Sequence, residues 1–413
     1  MAQLDASFMA SPYKTLQGSA IDEMFHQYPV SNKKDKDTIL CILASCWDAY
    51  AINKKNNIWV SISFNFGFYS HYGAYGVPHW TIRRVKSAFQ YLLQNKLINK
   101  MPSLAPKPGY AGKRTRVKIS KKLLKLLTSS NLDISTARLN KPQILIKKKI
   151  DLGYNEMNVL DKPPTSKQYI SIKNNVSEIN IELLKHNFGL IQGDPTPLQA
   201  TNYHYPYNVD DLRNNDLQIR LQRMFSDPDL TKHGRYYTNL QSMPSKQRLL
   251  LTIDGEGVVE VDYRGLHYNI AYNLNGLDMK QYPYEHPTIP KDLFKKACII
   301  TLNTHSKRSA SGAIRKRIED PDLPPNCRGF SSQEVLAAVI EKHPAIENNM
   351  FKDMGMEYMN MDSRIATDVL NHFISLGEGI LPVHDSFVVR KSMQQELINI
   401  MNKSYKNHLN FEP

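Results

Sequence analysis

Two apolar runs of the chain each carry one aspartate, and together they limit the possible folds more than any other feature. Residues 258–267 read VVEVDYRGLH and contain Asp262, and residues 381–389 read LPVHDSFVV and contain Asp385. Runs rich in valine favour strands, so we expect two adjacent strands that each deliver a carboxylate. A buried carboxylate costs several kcal/mol unless a cation compensates it, and neither run contains a lysine. The pattern therefore predicts an oxygen-lined site for divalent metal ions, preferably Mg²⁺, of the kind that serves phosphoryl transfer.

The composition predicts a soluble protein with a polyanionic partner. The chain has 413 residues and is 41% hydrophobic, enough for two or three domains with apolar cores. Its formal net charge of +14 makes nucleic acid the first candidate partner. The 4 cysteines show neither zinc-site spacing nor a disulfide framework, which favours reduced thiols in the cytoplasm. Neither a membrane span nor a leader peptide is visible in the sequence, so we expect no membrane partner.

Residues 36–128 are expected to bind DNA, after an N-terminal arm at residues 1–35. A helix begins at Asp37, a second covers residues 81–95, and a basic two-stranded hairpin follows. This order resembles the winged helix-turn-helix family, in which the second helix enters the major groove and the hairpin follows the DNA backbone. A small helical scaffold with a solvated basic face is the alternative. The predicted DNA contacts are Arg83, Arg84 and Lys86 in the helix and Lys107, Lys113, Arg114 and Arg116 in the hairpin.

The middle of the chain is predicted to connect this domain to a second one. Residues 129–180 are polar, with lysine and proline clusters, and are interpreted as a linker. Helical spacing over residues 181–190 and 209–225 predicts a pair of helices. Residues 249–261 then read as a hairpin around an Asp-Gly turn, and its second strand ends on Asp262.

From Gly234 to Val389 the chain resembles the family A DNA polymerases. The resemblance lies in an ordered set of motifs: Gly234-Arg235, Asn239-Leu-Gln241, Pro244 and Arg248 before the first aspartate, Asp262-Tyr263 as motif A, a basic helix at residues 291–303 in the place of motif B, a helix at residues 361–370, and His384-Asp385 as motif C. It implies that residues 181–413 have the α+β fold of a right-hand polymerase, with a palm, short fingers and thumb helices. No exonuclease domain for proofreading is expected.

The resemblance also implies roles for individual residues. Asp262 and Asp385 would hold two Mg²⁺ ions, with Mn²⁺ as a substitute, and the backbone carbonyl of Tyr263 would complete the metal shell. His384 would orient Asp385 or touch the primer end. The residues expected to contact the nucleotide are Tyr263, His267, Lys295, Lys296 and Asn303, and those expected to contact the template and primer are Arg235 and Arg248.

Three departures from the family pattern keep alternatives open. His267 stands where family A DNA polymerases have a glutamate that crowds the sugar, and it is either a sugar-facing residue or a satisfied, half-buried histidine. The His-Asp-Ser-Phe of motif C is closer to the bacteriophage-type single-subunit RNA polymerases, and motif B lacks its aromatic-glycine pair. We therefore expect a template-directed nucleotidyltransferase, a compact DNA polymerase that uses dNTPs and a DNA template and primer in replication or priming of a mobile element, plasmid or phage. The alternatives are an RNA polymerase or primase of the same fold, and a non-catalytic winged-helix replication initiator or regulator.

Overall fold

A computed structural model of the chain divides into two compact units. One comprises Met1–Thr165 and Gln199–Pro206, and the other comprises Ser166–Leu198 and Tyr207–Pro413. The structure describes residues 8–11, 14–52, 59–64, 69, 78–101, 115–129, 131–138, 142–151, 155–159, 163–191, 217–238, 240–241, 243–320 and 324–413. These ranges mix helices with strands, as the predicted α+β class requires. None of their helices is long and apolar enough to cross a membrane.

The first unit is built around α2 and α3, which pack against a sheet of strand order β1-β3-β5-β4. Strands β2 and β6 pair antiparallel, as do β7 and β8. Its elements are α1 Ser19–Gln27, α2 Lys33–Ile52, α3 Ile82–Gln94, α4 Lys121–Leu127, β1 Phe8–Met9, β2 Lys14–Gln17, β3 Val60–Ile62, β4 Ile98–Met101, β5 Thr115–Ile119, β6 Ser135–Arg138, β7 Ile144–Asp151 and β8 Asn155–Val159.

Both helices predicted for this unit are confirmed, and so is the antiparallel hairpin of β4 and β5. Helix α2 begins before Asp37, because the side chain of Asn32 accepts hydrogen bonds from the backbone N–H groups of Lys34 and Asp35. Helix α3 begins after Thr81, whose hydroxyl caps the helix. The hairpin tip that carries Lys107, Lys113 and Arg114 lies outside the described residues.

The arm and the linker predicted from the sequence contain regular structure. Helix α1 lies within the supposed arm, and its Ala20, Ile21, Met24 and Phe25 are buried in the core of the first unit. These four residues follow a helical repeat that the polar residues between them obscure. The supposed linker contains β6, β7 and β8 and most of a helix, in which the buried Tyr169, Val176, Ile179 and Leu183 recur at helical spacing.

The second unit contains an antiparallel sheet of strand order β14-β15-β13-β12-β9, and a separate antiparallel pair of β10 and β11. The long helix α11 packs against β11 and α12. The helices are α5 Lys167–Leu183, α6 Ser245–Arg248, α7 Leu266–Asn273, α8 Lys291–Leu302, α9 Lys307–Ile318, α10 Ser332–Lys342, α11 Gly355–Ser375 and α12 Gln394–Leu409, and the strands are β9 Phe188–Leu190, β10 Gln222–Phe225, β11 His233–Tyr237, β12 Leu251–Ile253, β13 Glu256–Asp262, β14 Ile380–Val383 and β15 Ser386–Arg390.

The helix predicted over residues 181–190 is confirmed only to Leu183, and the helix predicted over residues 209–225 is wrong where the structure describes it. Helix α5 ends at Leu183, and residues 188–190 form β9, which pairs with β12. Residues 222–225 form β10, whose four residues are all buried and pair with β11. In both places pairing with a distant strand overrides the local helical spacing. Residues 209–216 lie outside the described parts of the chain.

Two hairpins bring the conspicuous aspartates into one sheet. The Asp254-Gly255 turn between β12 and β13 is confirmed, and both residues have positive φ, 51° and 83°, as a tight two-residue turn requires. The apolar run at residues 381–389 is not one strand, because β14 and β15 pair antiparallel through a turn at His384 and Asp385. The helices predicted at residues 291–303 and 361–370 are confirmed as α8 and α11.

Candidate active site

Backbone pairing brings Asp262 and Asp385 to the same end of the sheet. Asp262 is the last residue of β13 and lies opposite Ser386 in β15. Asp385 directly precedes Ser386, and its carbonyl oxygen accepts a hydrogen bond of 3.1 Å from the backbone N–H of Tyr263. The expected convergence of the two acidic residues is therefore present in the fold.

The carboxylates are less buried than the sequence suggested. Asp262 is exposed and Asp385 is half-buried, because the first ends its strand and the second lies in a hairpin turn. The pKa of Asp262 is nevertheless raised, first by partial desolvation and then by the negative charge of Asp385. The positive charges of Lys295 and Arg264 lower it in turn. The two aspartates form a like-charged pair that a shared cation would stabilise.

His384 sits beside this pair in a conformation that non-glycine residues rarely adopt. Its φ is 60°, in the left-handed region. One part of the ring reaches solvent, while another packs edge-on against Tyr237 and accepts a hydrogen bond at Nδ1 from Gln241 Nε2 at 3.2 Å. Desolvation lowers the pKa of His384, and the positive charge of Arg235 lowers it further. The neutral ring with its proton on Nε2 is the form that this geometry favours.

A buried carboxylate that the sequence reasoning missed, Asp362 on α11, lies close to the same turn. It pairs with Arg235, whose Nε lies 2.9 Å from Oδ2 and 3.2 Å from Oδ1, and Nη2 of Arg235 also donates to Oδ2. His267 joins them, with its Nε2 3.0 Å from Asp362 Oδ2 and 3.1 Å from Arg235 Nη2. We call these three residues the Asp362 cluster. Arg235, expected to contact nucleic acid, and His267, expected either to face the sugar or to be a satisfied, half-buried histidine, are both engaged by a carboxylate here.

A second ion pair supports the strand that carries Asp262. Arg248 donates from Nε and Nη2 to the two carboxylate oxygens of Glu260, and from Nη1 to the carbonyl of Met243. Ser386 Oγ donates to Glu260 Oε1 at 2.8 Å. Arg248, expected to contact nucleic acid, is thereby part of a network that joins β13 to β15 next to the aspartates.

The residues expected to contact the nucleotide lie in different environments. Lys295 is exposed and acts electrostatically on Asp262, whereas Lys296 is half-buried. Asn303 directly follows α8, and its side-chain amide donates to the carbonyl of Ile299. The side chain of Tyr263 is buried, and its hydroxyl donates to the carbonyl of Met401, so only its backbone faces the site.

A polar cleft of about 830 Å³ adjoins Asp262. Arg264, Lys280, Lys291 and Tyr282 lie along its walls. Acidic side chains partner two of these cations, since Asp278 pairs with Lys280 and Glu285 with Lys291. The cleft leaves room for a polar ligand next to Asp262.

In the first unit, the predicted DNA contacts divide into exposed and engaged residues. Arg83 and Lys86 are exposed on the first turn of α3. Arg84 pairs with Asp35 of α2, and it therefore links the two helices. Arg116 is buried in β5, where its Nη2 donates to the sulfur of Met101, so it is not a surface contact. The alternation of the strand does not predict this burial, because Arg116 lies on the opposite face of β5 from the core residues Val117 and Ile119.

The sequence did contain a signal for Asp362. It lies among Ser363, Ile365, Ala366 and Val369 on the buried face of α11. Acidic residues are almost never fully buried unless they are paired, so an aspartate on an apolar helix face predicts a cationic partner. Gln241 belongs to a motif noted in the sequence, but its contact with His384 could not be predicted, because it depends on how the loop after β11 folds.

The chemistry of the donors matches a hard divalent cation. Asp262 and Asp385 supply carboxylate oxygens, the ligands that Mg²⁺ prefers, and their mutual repulsion is relieved by a positive ion. Among the residues that the structure describes, no three or more His, Cys, Asp or Glu side chains are grouped around one potential metal position.

No protein-family model matches the chain, and no curated protein is similar enough to count as a match.

Proposed function

We propose that the protein is a template-directed nucleotidyltransferase, a compact DNA polymerase without proofreading that extends a primer on a DNA template. The observation that carries the proposal is the convergence of Asp262 and Asp385 at one end of an antiparallel sheet. In this proposal the sheet and α11 form the palm of a right-hand polymerase, and the short segment with α8 and α9 forms the fingers. The order of the motifs along the chain supports this interpretation.

The aspartates and their neighbours have distinct tasks in the proposed reaction. Asp262 and Asp385 would hold two Mg²⁺ ions through their carboxylate oxygens, and the backbone carbonyl of Tyr263 would help to bind them. The chemistry supplied by the bound ions is activation of the primer 3′-hydroxyl and neutralisation of charge on the leaving pyrophosphate. Lys295 is exposed beside Asp262 and neutralises triphosphate oxygens as a point charge. The neighbouring cleft accommodates the polar substrate.

The first unit supplies DNA binding in this proposal. Arg83 and Lys86 are exposed at the start of α3, where their charges oppose the helix dipole and so are explained better by a phosphate partner than by helix stability. A DNA-binding domain joined to a small polymerase is consistent with replication or priming of a mobile element, plasmid or phage.

RNA synthesis, by an RNA polymerase or primase, is the second candidate function. It is favoured by His267, which stands where family A DNA polymerases have a glutamate that crowds the sugar. His267 is held by Asp362, and this position therefore offers no glutamate to exclude a ribose. The two candidates share the aspartates and the metal ions, and they differ in the nucleotide that is incorporated.

Nucleotide incorporation by the full chain tests the proposal. The assay offers dNTPs or rNTPs on primed and unprimed DNA templates, with Mg²⁺ or Mn²⁺. We expect dNTP incorporation on the primed template, and a loss of at least about a thousandfold in Asp262→Asn and Asp385→Asn, because each removes a metal ligand. Asp229→Asn is the matched control, since Asp229 is an exposed aspartate in the loop before β11.

Each result of this assay points to one interpretation. Incorporation of rNTPs alone would replace the first candidate by the second. No incorporation under any condition, with both aspartate variants equal to the parent, would overturn the enzymatic proposal. Metal-independent binding to one specific duplex would then support a replication initiator or regulator.

A further inference from the structure

The Asp362 cluster is a charged group that the fold keeps almost entirely from water. The side chain of Asp362 is 1% exposed, that of Arg235 is 13% exposed, and that of His267 is 16% exposed. They come from α11, β11 and α7, three elements that are distant in sequence. A buried ion pair is often no more stabilising than an apolar pair of similar volume. Stability alone therefore does not explain why the chain buries these charges here.

Contacts along β11 connect the cluster to the turn that carries Asp385. Tyr237 lies two residues after Arg235, on the same face of the strand, and its ring centroid is 6.1 Å from that of His384. Gln241 donates both to the carbonyl of Tyr236 and to His384. The strand that holds Arg235 is thus packed against the residue next to Asp385.

The guanidinium of Arg235 also acts electrostatically on this turn. Burial lowers its pKa, but the charges of Asp362 and then Asp385 raise it by more. A protein cation within reach of Asp385 competes with a divalent ion for the negative charge of this carboxylate, unless another anion neutralises the protein cation. Asp362 is the anion in direct contact with Arg235.

We propose that Asp362 is a positioning residue that binds Arg235 in two places, cancels its charge and holds it back from Asp262 and Asp385, so that both carboxylates remain available to divalent cations. This inference rests on the proposed function, because it assigns Asp362 to the same metal site. The bidentate geometry fixes the guanidinium, and His267 Nε2 lies 3.1 Å from its Nη2.

Binding of Mn²⁺ to the full chain, without nucleotide or DNA, tests the proposal by titration calorimetry and electron paramagnetic resonance. Asp362→Asn keeps the shape of the side chain but leaves the charge of Arg235 uncompensated, and we expect its dissociation constant for Mn²⁺ to rise at least about tenfold. Asp368→Asn is the matched control, because Asp368 lies on the same helix and pairs with His408 instead. It should stay within about threefold of the parent.

Two double variants separate charge compensation from a merely structural role. Asp362→Asn with Arg235→Gln removes both charges, and Asp362→Asn with His267→Glu returns a carboxylate to the other side of Arg235, where His267 Nε2 now lies 3.1 Å away. Each should bind Mn²⁺ within about threefold of the parent. A structural role predicts that the loss seen in Asp362→Asn persists in both. Circular dichroism verifies that each variant is folded.

Three results would overturn the inference. The first is unchanged Mn²⁺ affinity in Asp362→Asn, and the second is a loss that remains when Arg235 is also replaced. The third is a change of more than about threefold in the Mn²⁺ dissociation constant of the variant that carries both Asp362→Asn and Arg235→Gln. It would show that Asp362 does not act by cancelling the charge of Arg235, and it can be measured even if Asp362→Asn alone does not fold.

Failure of this inference and failure of the proposed function give different patterns. If Asp262→Asn and Asp385→Asn weaken Mn²⁺ binding while Asp362→Asn does not, the metal site stands and the role of Asp362 falls. If neither aspartate variant changes Mn²⁺ binding, the two carboxylates are not a metal site and the proposed function itself fails.

Discussion

The second unit contains two charged groups at neighbouring positions, and they are built in opposite ways. Asp262 and Asp385 are like-charged, face solvent at least in part, and are brought together by the hydrogen bonds of β13 and β15. Asp362 and Arg235 are oppositely charged, almost fully buried, and held by direct bonds between their side chains. The first two side chains repel each other and are held close by the backbone, whereas the second two attract each other.

This difference determines which of the two charged groups gains free energy when it binds a cation. The backbone holds the two aspartates near each other, and the negative charge of Asp385 raises the pKa of Asp262, so the pair gains when a cation binds. The Asp362 cluster is already neutralised and gains nothing from a further ion. We therefore expect the loss of one partner of the buried pair to cost much more stability than a substitution in the exposed pair, and the exposed pair to be the group that takes up a cation.

Removing one member of the buried pair should have the largest effect on stability. Arg235→Ala leaves Asp362 buried without its cation, so we expect the free energy of unfolding to fall by about 3–5 kcal/mol. Urea denaturation followed by circular dichroism measures this change. Lys280→Ala is the matched control, because it removes a cation from an exposed pair with Asp278 and should cost less than about 1 kcal/mol. Equal losses in the two variants would remove the contrast between buried and exposed charges.

The exposed pair should respond to a divalent cation by an intermediate amount. At a free Mn²⁺ concentration about tenfold above the dissociation constant, binding adds about 1.4 kcal/mol to the free energy of unfolding. We expect the melting temperature of the parent to rise on addition of Mn²⁺, and that of Asp262→Asn to stay unchanged. Asp229→Asn should behave as the parent. A rise of equal size in Asp262→Asn would place the stabilising ion elsewhere.

The sequence predicts those parts of the site that lie in strong local patterns. The valine-rich run before Asp262 and the Asp-Gly turn specify a hairpin, and the periodicity of α8 and α11 specifies both helices. Together they suffice to expect that Asp262 and Asp385 meet. The turn at His384 was missed, because its left-handed conformation is imposed by the pairing of β14 with β15 rather than by a glycine.

Partners of the charged side chains could not be predicted, because they depend on contacts between distant elements. Arg235 and Arg248 look like nucleic-acid contacts in the sequence, but β11 packs against α11 and places Arg235 on Asp362, and the turn before β12 places Arg248 on Glu260. Arg116 is buried as well, although it lies on the face of β5 opposite the core residues Val117 and Ile119. A basic residue is thus a weak predictor of binding until the acids of neighbouring elements are known.

The smallest expected effect concerns pH and the repulsion within the exposed pair. Desolvation and the charge of Asp385 raise the folded-state pKa of Asp262 above its ordinary value, so its ionised form is less favourable in the folded state than in the unfolded state. Without metal, Asp262 therefore opposes folding above its folded-state pKa, and this opposition disappears as the pH falls to its unfolded-state pKa. We expect the free energy of unfolding of Asp262→Asn to exceed that of the parent near neutral pH by less than about 1 kcal/mol, since the side chain is exposed and screened. This excess in the free energy of unfolding should vanish as the pH approaches the unfolded-state pKa of Asp262.

Urea denaturation of the parent and the variant in the presence of a chelator, over a series of pH values, measures the difference. A parent that is more stable than the variant at neutral pH would mean that Asp262 is already paired with a cation of the protein, and the two charged groups would then not differ in kind.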